Sequence, residues 1–136
     1  MGGAAVQITR NEGFGGFESP DGKYFYYGTK YLYPALRRVP VNGGLEETLA
    51  PRFRGIHELR VGRSGVYFLA DCRPCQSLKQ AWELRRYNFL TGIVEVVARF
   101  RARVSMGLAV SPNETWALVN VWERTPVNII LVEGVQ

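Results

Sequence analysis

Short apolar runs organise this chain, and no segment has a helical periodicity. The runs are rich in Val, Ile, Tyr, Phe and Trp, and they are separated by Gly, Pro, Asn and Asp. This pattern is typical of antiparallel strands joined by tight turns. We therefore predict an all-β protein. The predicted strands are residues 5–10; 14–18, 23–28, 34–41 and 45–50; 56–61, 65–70, 81–89 and 92–98; and 105–110, 115–121 and 127–132.

The same segments recur along the chain at a nearly constant spacing. Residues 19–27 (SPDGKYFYY) match residues 111–119 (SPNETWALV), 92 positions later or two steps of 46, and residues 63–69 carry a weaker middle copy. Residues 36–41 likewise match residues 84–89, at a spacing of 48. Repeats of about this length are typical of stacked or radially arranged units. We predict one domain, residues 1–136, with three antiparallel units at 14–50, 56–98 and 105–132.

The two ends of the chain are complementary. The last unit contains only three predicted strands, and the strand at residues 5–10 precedes the first unit. Propellers close their ring of blades by such a strand exchange between the two ends. We therefore predict that residues 5–10 complete the last unit. Three four-stranded blades then make half of a β-propeller.

The motif residues resemble a known family. The hairpin from Ser19 to Lys23, followed by Arg38-Val39-Pro40-Val41-Asn42-Gly43-Gly44, is similar to the repeat of TolB-like β-propellers, and the resemblance covers about residues 7–134. It is greatest to the C-terminal blades of propellers attached to winged-helix transcriptional regulators of acidobacteria. The resemblance implies a binding scaffold in which Ser19, Pro20 and Asp21 are structural. The middle hairpin departs by lacking Ser-Pro-Asp, and the third carries Asn113-Glu114-Thr115.

Composition and charge limit the classes of partner that the chain is expected to bind. The chain has 136 residues, is 46% hydrophobic, and carries a formal charge of +5 with a pI near 9.5. No run approaches the ~18–20 apolar residues of a membrane-spanning helix, and the first residues lack the pattern of a signal peptide. We expect a cytoplasmic protein without a membrane partner, although a longer parent chain would permit a periplasmic one. The basic charge suits an anionic partner such as an acidic peptide, and no DNA-binding element is visible.

Five arginines recur after the fourth strand of consecutive units. They are Arg52, Arg54, Arg99, Arg101 and Arg103. In a propeller these connections share one face, so the arginines are predicted to gather at the mouth of the channel and to bind carboxylate or phosphate oxygens. In the alternative, they are solvated and pair with Glu46, Glu47 or Glu95. The sequence leaves both hypotheses open.

The other polar candidates do not form a catalytic or metal site. His57 is the single histidine, and we place it in the strand 56–61 as a structural or channel-lining residue. Cys72 and Cys75 are spaced as half a zinc site or a redox pair, but zinc needs about four ligands. We therefore interpret the pair as two thiols in a hairpin loop. We predict no enzymatic activity, no bound metal and no cofactor.

Large aromatic side chains recur on the predicted strands. They include Tyr24, Tyr26, Tyr27, Trp116 and Trp122. Because aromatic residues dominate the packing of such sheets, we expect most of them to lie in the core between units.

Three functions remain open from the sequence. The first is a non-catalytic binding or protein-interaction propeller, such as the sensory part of a bacterial transcriptional regulator. The alternatives are a propeller fragment whose property is self-assembly and the non-catalytic gating propeller of a peptidase. Because three blades leave two open flanks, we also predict a homodimer that closes a six-bladed ring.

Overall fold

The structure is a computed structural model, and it describes residues 3–72, 81–122 and 127–136. These residues form eleven β-strands and one short 3₁₀ turn, with no α-helix. The strands are β1 Phe14–Glu18, β2 Tyr24–Gly28, β3 Leu36–Pro40, β4 Glu47–Ala50, β5 Leu59–Val61, β6 Gly65–Asp71, β7 Ala81–Asn88, β8 Val94–Arg101, β9 Arg103–Val110, β10 Trp116–Trp122 and β11 Val127–Glu133. The 3₁₀ turn is Ile56–Glu58.

The strands form three antiparallel sheets in which neighbours in sequence are neighbours in space. Sheet I has the order β1-β2-β3-β4, sheet II the order β5-β6-β7-β8, and sheet III the order β9-β10-β11. The first strands of successive sheets contact one another, β1 with β5 and β5 with β9. The predicted all-β class, with antiparallel sheets of three and four strands, is confirmed.

Two predicted strands differ from the structure. The strand predicted at 56–61 begins only at Leu59, because the backbone N–H of Glu58 donates to the carbonyl of Gly55 and closes a 3₁₀ turn instead. Residues 5–10 form no strand in the single chain. An extended segment needs a neighbouring edge to satisfy its backbone groups, and the described part of its own chain pairs no strand with this segment.

Sheet II lies between the other two sheets and is apolar on both faces. Along β6, Val66 and Phe68 contribute to the core between sheets I and II, whereas Tyr67 and Leu69 contribute to the core between sheets II and III. All four side chains are fully buried. Because successive side chains of a strand point to opposite faces, a strand buried on both sides is a continuous apolar run. The residues Gly65–Asp71 match this description up to the final Asp71.

The two serine hairpins have the same hydrogen bonds, 92 residues apart. Ser19 Oγ accepts the backbone N–H groups of Lys23 and Tyr24 at 3.1 and 3.0 Å. Ser111 Oγ accepts those of Thr115 and Trp116 at 3.0 and 3.1 Å. Each serine therefore satisfies two donors that the tight turn leaves outside the strand pairing.

Glu114 explains why the third hairpin departs from the Asp-Gly-Lys form. It occupies the positive-φ position (57°) that Gly22 holds in the first hairpin (69°). Its buried carboxylate accepts the backbone N–H of Ser64 at 3.0 and 3.3 Å. A Cβ at Gly62 would overlap this carboxylate. Glu114 thus joins the shortened middle hairpin of sheet II to sheet III, at the expense of a strained backbone.

Candidate functional site

The connections between sheets meet at one end of the molecule. Residues 51–58 join β4 to β5, and residue 102 joins β8 to β9. The guanidinium of Arg54 donates from Nη2 to the carbonyl of Val104 at 2.8 Å and lies over the ring of Trp82. Trp82 Nε1 in turn donates to the carbonyl of Ala102 at 3.0 Å. These contacts hold the first connection against the second.

Arg54 is committed to a structural ion pair. Its Nε lies 3.5 Å from Oε1 of Glu58, whose side chain is only 3% exposed. Burial raises the pKa of Glu58, and the charge of Arg54 offsets this only in part. A guanidinium with a buried carboxylate on one side and a carbonyl on the other is held in a fixed position. The Arg54 side chain is still 26% exposed, and it lines a cavity beside this connection.

Arg99 is also paired, although about half of its side chain is exposed. Its Nε lies 2.9 Å from Oε1 of Glu83, and Arg85 holds the second carboxylate oxygen at 2.6 Å. Burial opposes ionisation of Glu83, but hydrogen bonds from Arg85 and Arg99 outweigh it and lower the pKa of this carboxyl. Glu83 is therefore ionised, and its ion pair with Arg99 links β7 to β8.

The remaining three of the five arginines are exposed. Arg52 lies over the ring of Tyr33, with its Cζ 4.3 Å from the ring centre. Arg101 ends β8 and Arg103 begins β9. All five arginines therefore reach solvent at least in part, and two of them, Arg54 and Arg99, also pair with buried carboxylates.

The carboxylates suggested as partners of these arginines are paired elsewhere. Glu46 lies against Arg37 at 3.5 Å, Glu47 against Arg38 at 2.7 Å, and Glu95 against Arg86 at 2.8 Å. The Arg38–Glu47 and Arg86–Glu95 pairs occupy equivalent cross-strand positions, 48 residues apart in the chain. These three glutamates therefore brace the third strands β3 and β7, and do not neutralise the connections.

An aromatic loop, formed by residues 29–35 between β2 and β3, lies beside the first connection. Its Tyr31, Leu32 and Tyr33 are all exposed. Tyr31 donates its hydroxyl to Met106 Sδ at 3.4 Å and contacts His57 edge to face. A cavity of about 180 Å³ opens here, lined by Tyr31, Leu32, Tyr33, His57, Glu58 and Met106 among others. The predicted position of His57 in an inner strand is wrong, because His57 lies exposed on the 3₁₀ turn at this cavity.

The backbone of Tyr33 is strained at this loop. Its φ is 51°, in the left-handed region that non-glycine residues rarely adopt. The Tyr33 N–H donates to the carbonyl of Arg54 at 3.0 Å, and the Phe53 N–H donates to the carbonyl of Pro34 at 3.0 Å. Leu32 forms an isolated bridge with Gly55. Strain held by surrounding contacts in this way clusters at binding sites.

The strain predicts an unusual order of stabilities. Tyr33→Gly is expected to be more stable than Tyr33→Ala by about 1 kcal/mol, because the left-handed penalty of about 1–2 kcal/mol exceeds the entropic cost of glycine, about 0.4–1 kcal/mol. Urea unfolding of the two variants measures the difference. At exposed Lys30, which lacks a positive φ, glycine should be no more stable than alanine. An alanine variant at position 33 that is as stable as the glycine variant would contradict the strain.

The sequence did carry a signal for this loop. Tyr31-Leu32-Tyr33 places three large apolar residues between two predicted strands, where polar turn residues are usual. The pattern predicted the turn, but not that its aromatic residues would be displayed.

The cysteine pair falls partly outside the described residues. Cys72 is buried at the end of β6 and is disulfide-bonded, so the interpretation of Cys72 as a free thiol is wrong. Cys75 lies outside the described residues. Within residues 3–72, 81–122 and 127–136, no three His, Cys, Asp or Glu side chains gather in a group able to hold a metal ion.

Comparisons of the chain with known proteins gave no match. No protein-family model, curated protein or solved structure matches it. The TolB-like resemblance therefore rests on the motif residues alone and stays a prediction. The described part of the chain contains no helix long and apolar enough to cross a membrane.

Proposed function

We propose that this chain is a non-catalytic protein-interaction module of the TolB-like β-propeller type, which binds an acidic peptide segment at its connection end. The observation that carries the proposal is the exposed Arg52 over the ring of Tyr33, beside the exposed Tyr31 and Leu32. The bacterial regulators with similar blades suggest a sensory role for such a module.

The arrangement of the sheets supports the propeller type. Three antiparallel sheets follow one another in chain order, their first strands contact in series, and an apolar core fills each gap between sheets. Radial repetition of four-stranded sheets is how propellers are built. The Arg–Glu cross-strand pairs recur in sheets I and II, and the serine hairpins recur in sheets I and III. Both recurrences support a repeated unit.

The chemistry of the connection end supports an acidic and partly apolar ligand. The contact with Tyr33 restrains the Arg52 guanidinium, and the N–H edges of a guanidinium match the two oxygens of a carboxylate. Tyrosine and arginine are enriched in the residues that contribute most to protein interfaces. The cavity under Tyr31 and Leu32 is large enough for one apolar side chain of the ligand. Together these features favour a peptide with an acidic residue next to an apolar one.

The buried carboxylates support a non-catalytic role. Glu58 and Glu83 are the most buried acidic groups in the described residues, and each is held by one or two arginines. Ion-paired carboxylates of this kind stabilise the packing of strands and connections.

Binding of a fluorescein-labelled peptide rich in Glu, with one Trp, tests the proposal by fluorescence anisotropy at low and physiological ionic strength. Arg52→Ala is expected to weaken binding about tenfold, since one charge-assisted contact is lost. Arg52→Lys keeps the charge but loses the planar edge, and should fall between wild type and Arg52→Ala. Arg63→Ala is the matched control, because exposed Arg63 lies in the turn at the other end of β5.

Arg63→Ala should change the dissociation constant by less than about twofold. Equal weakening by Arg52→Ala and Arg63→Ala would show that the peptide responds only to net charge. Binding that does not depend on salt or on Arg52 would contradict the site. Neither outcome would alter the assignment of the sheets.

A further inference from the structure

One face of sheet III is exposed and largely apolar, with Asn120 and Glu133 among its polar members. Along β10, Ala117, Val119 and Val121 are buried against sheet II, so the residues between them point to the opposite face. On that face Trp122, Ile129 and Leu131 are 50%, 62% and 53% exposed, and Trp116 is 36% exposed. Cross-strand pairing places Leu118 opposite Leu131. The prediction that Trp116 and Trp122 lie in a core between units is therefore wrong for the single chain.

The equivalent face of sheet I is covered. The serine hairpins align Trp116 with Tyr24 and Leu118 with Tyr26, because Ser19 and Ser111 bond the same positions of their turns. Tyr26 is 2% exposed and packs in the core against sheet II. In the repeated scheme, this face of each sheet is thus the one that packs on the following sheet. In sheet III this face has no following sheet to pack on within the described residues.

Among the described strands, β11 also has no neighbour on its outer edge. In sheets I and II the third strands β3 and β7 are flanked by the fourth strands β4 and β8, but β11 is the edge of sheet III. After β11 the chain turns away at Gly134, with a φ of 69°, and Val135 is buried in the core between sheets II and III. An exposed edge strand with apolar residues is a template for pairing with another strand.

The N-terminal segment lies at the other end of the series of sheets. The backbone N–H groups of Arg10 and Asn11 donate to the carboxylate of Glu46, which belongs to the turn between β3 and β4 of sheet I. Residues 3–7 before them are exposed, and Val6 is 81% exposed. In sheets I and II a fourth strand flanks the third strand and leads to the next sheet. A strand that leads into sheet I would occupy the same position in a sheet placed before sheet I.

We propose that the missing neighbour is a second copy of this chain. Sheet I of one copy packs on the open face of sheet III of the other, and residues 5–10 of the first copy pair with β11 of the second. Two-fold symmetry repeats both contacts, so that six sheets form one ring, within the usual 4–8 of propellers. One association covers both the apolar face and the edge of sheet III. A monomer would leave both exposed to water.

Light scattering and sedimentation of the 136-residue chain at micromolar concentration test the two-copy ring. The expected mass is twice the 15.3 kDa of one chain. A soluble monomer would overturn the proposal, and so would a trimer or larger assembly. In either case the peptide-binding experiment on Arg52 is decided separately, because it depends on the connection end and not on this face.

Two variants locate the interface. Leu131→Arg is expected to raise the dissociation constant of the dimer at least about tenfold, because a charge is placed where a leucine is buried. Leu90→Arg is the matched control, since Leu90 is 93% exposed in the turn between β7 and β8 and should leave the mass unchanged. Circular dichroism checks that both variants are folded.

Removal of residues 1–8 tests the exchanged strand without a change in any core. This deletion keeps Arg10 and Asn11, and with them the contacts to Glu46. It is expected to weaken the dimer by a similar factor and to increase aggregation through the freed β11 edge. If the deletion leaves the dimer as stable as wild type, the strand exchange is wrong. If Leu131→Arg leaves it as stable as wild type, the open face of sheet III is not the interface.

Discussion

Arg54→Ala is expected to destabilise the protein by about 3–5 kcal/mol at pH 7, more than any other single exchange proposed for this chain. The variant leaves the buried Glu58 carboxylate without its cation. It also removes the hydrogen bond to the Val104 carbonyl and the stacking on Trp82. Urea unfolding followed by circular dichroism measures the change in the free energy of unfolding.

The loss should depend on pH in a defined direction. The pKa of Glu58 is already above its ordinary value of 4.5 because of burial, and without Arg54 it rises further. A carboxyl with a raised pKa in the folded state binds protons more tightly when folded, so the protein loses stability as the pH rises through and above 4.5. The difference between wild type and Arg54→Ala is therefore expected to shrink as the pH falls from 7.

Glu58→Gln in the Arg54→Ala background is the control for this origin. The amide cannot ionise, so the double variant should recover part of the lost stability at pH 7 and lose the additional pH dependence. If the double variant is as unstable as Arg54→Ala at every pH, the effect comes from the lost packing of Arg54 and not from an uncompensated charge. If Arg54→Ala costs less than about 1 kcal/mol, Arg54 is not a structural cation of the core.

Glu83→Gln is expected to cost about 2–3 kcal/mol at pH 7, the second-largest effect. The carboxylate of Glu83 is 1% exposed and accepts hydrogen bonds from Arg85 and Arg99. Glutamine keeps the shape but offers one acceptor oxygen and no charge. The remaining guanidiniums are partly exposed, so they return to water at a smaller cost than a fully buried charge would incur. Denaturant unfolding at pH 7 checks the value.

The stability contributions of Glu83 and Glu58 depend on pH in different ranges. The pKa of Glu83 is lowered below 4.5 in the folded state, so its contribution is present above 4.5 and is lost as the pH falls through the folded pKa. The difference between wild type and Glu83→Gln should therefore stay constant from pH 7 to about 5 and shrink below that. For Arg54→Ala the shrinkage should begin at higher pH.

A matched exchange at an exposed pair calibrates both results. Glu47→Gln removes a similar ion pair with Arg38, but the Glu47 side chain is 57% exposed. Exposed pairs contribute about 0–1 kcal/mol, so this variant should be close to wild type. A loss as large as that of Glu83→Gln would mean that burial does not distinguish the two pairs.

The local pattern of the sequence was sufficient for the strands. Alternation of apolar and turn residues placed most strands within two residues of their observed bounds, and the serine repeats at residues 19 and 111 correspond to hairpins with the same hydrogen bonds. Strand propensity and turn formation depend on residues that are close together in the sequence, so they can be predicted from the sequence alone. The 3₁₀ turn at Ile56–Glu58 was missed because it directly precedes the alternating residues of β5, and no local signal in the sequence separates the two.

The arginines show the limit of this inference. The repeat predicted all five in connections on one side, but Arg99 and Arg101 lie in β8 and Arg103 begins β9. Some of their partners also lie far away in the sequence. Arg54 bonds a carbonyl 50 residues later, and Arg99 bonds a carboxylate 16 residues earlier. Which guanidinium is buried and which is displayed depends on how the sheets pack, and no local pattern records that.

Alternation along the sequence thus determined the class, the strands and the repeated hairpins of this protein. Only the tertiary structure decided which face of each sheet is covered. Trp116 and Tyr24 stand at equivalent positions of equivalent hairpins, yet Tyr24 packs toward sheet II while Trp116 faces solvent. The reason is physical: burial of a strand face requires another sheet opposite it, and the presence of that sheet is a property of the assembled molecule and not of the residues on the strand.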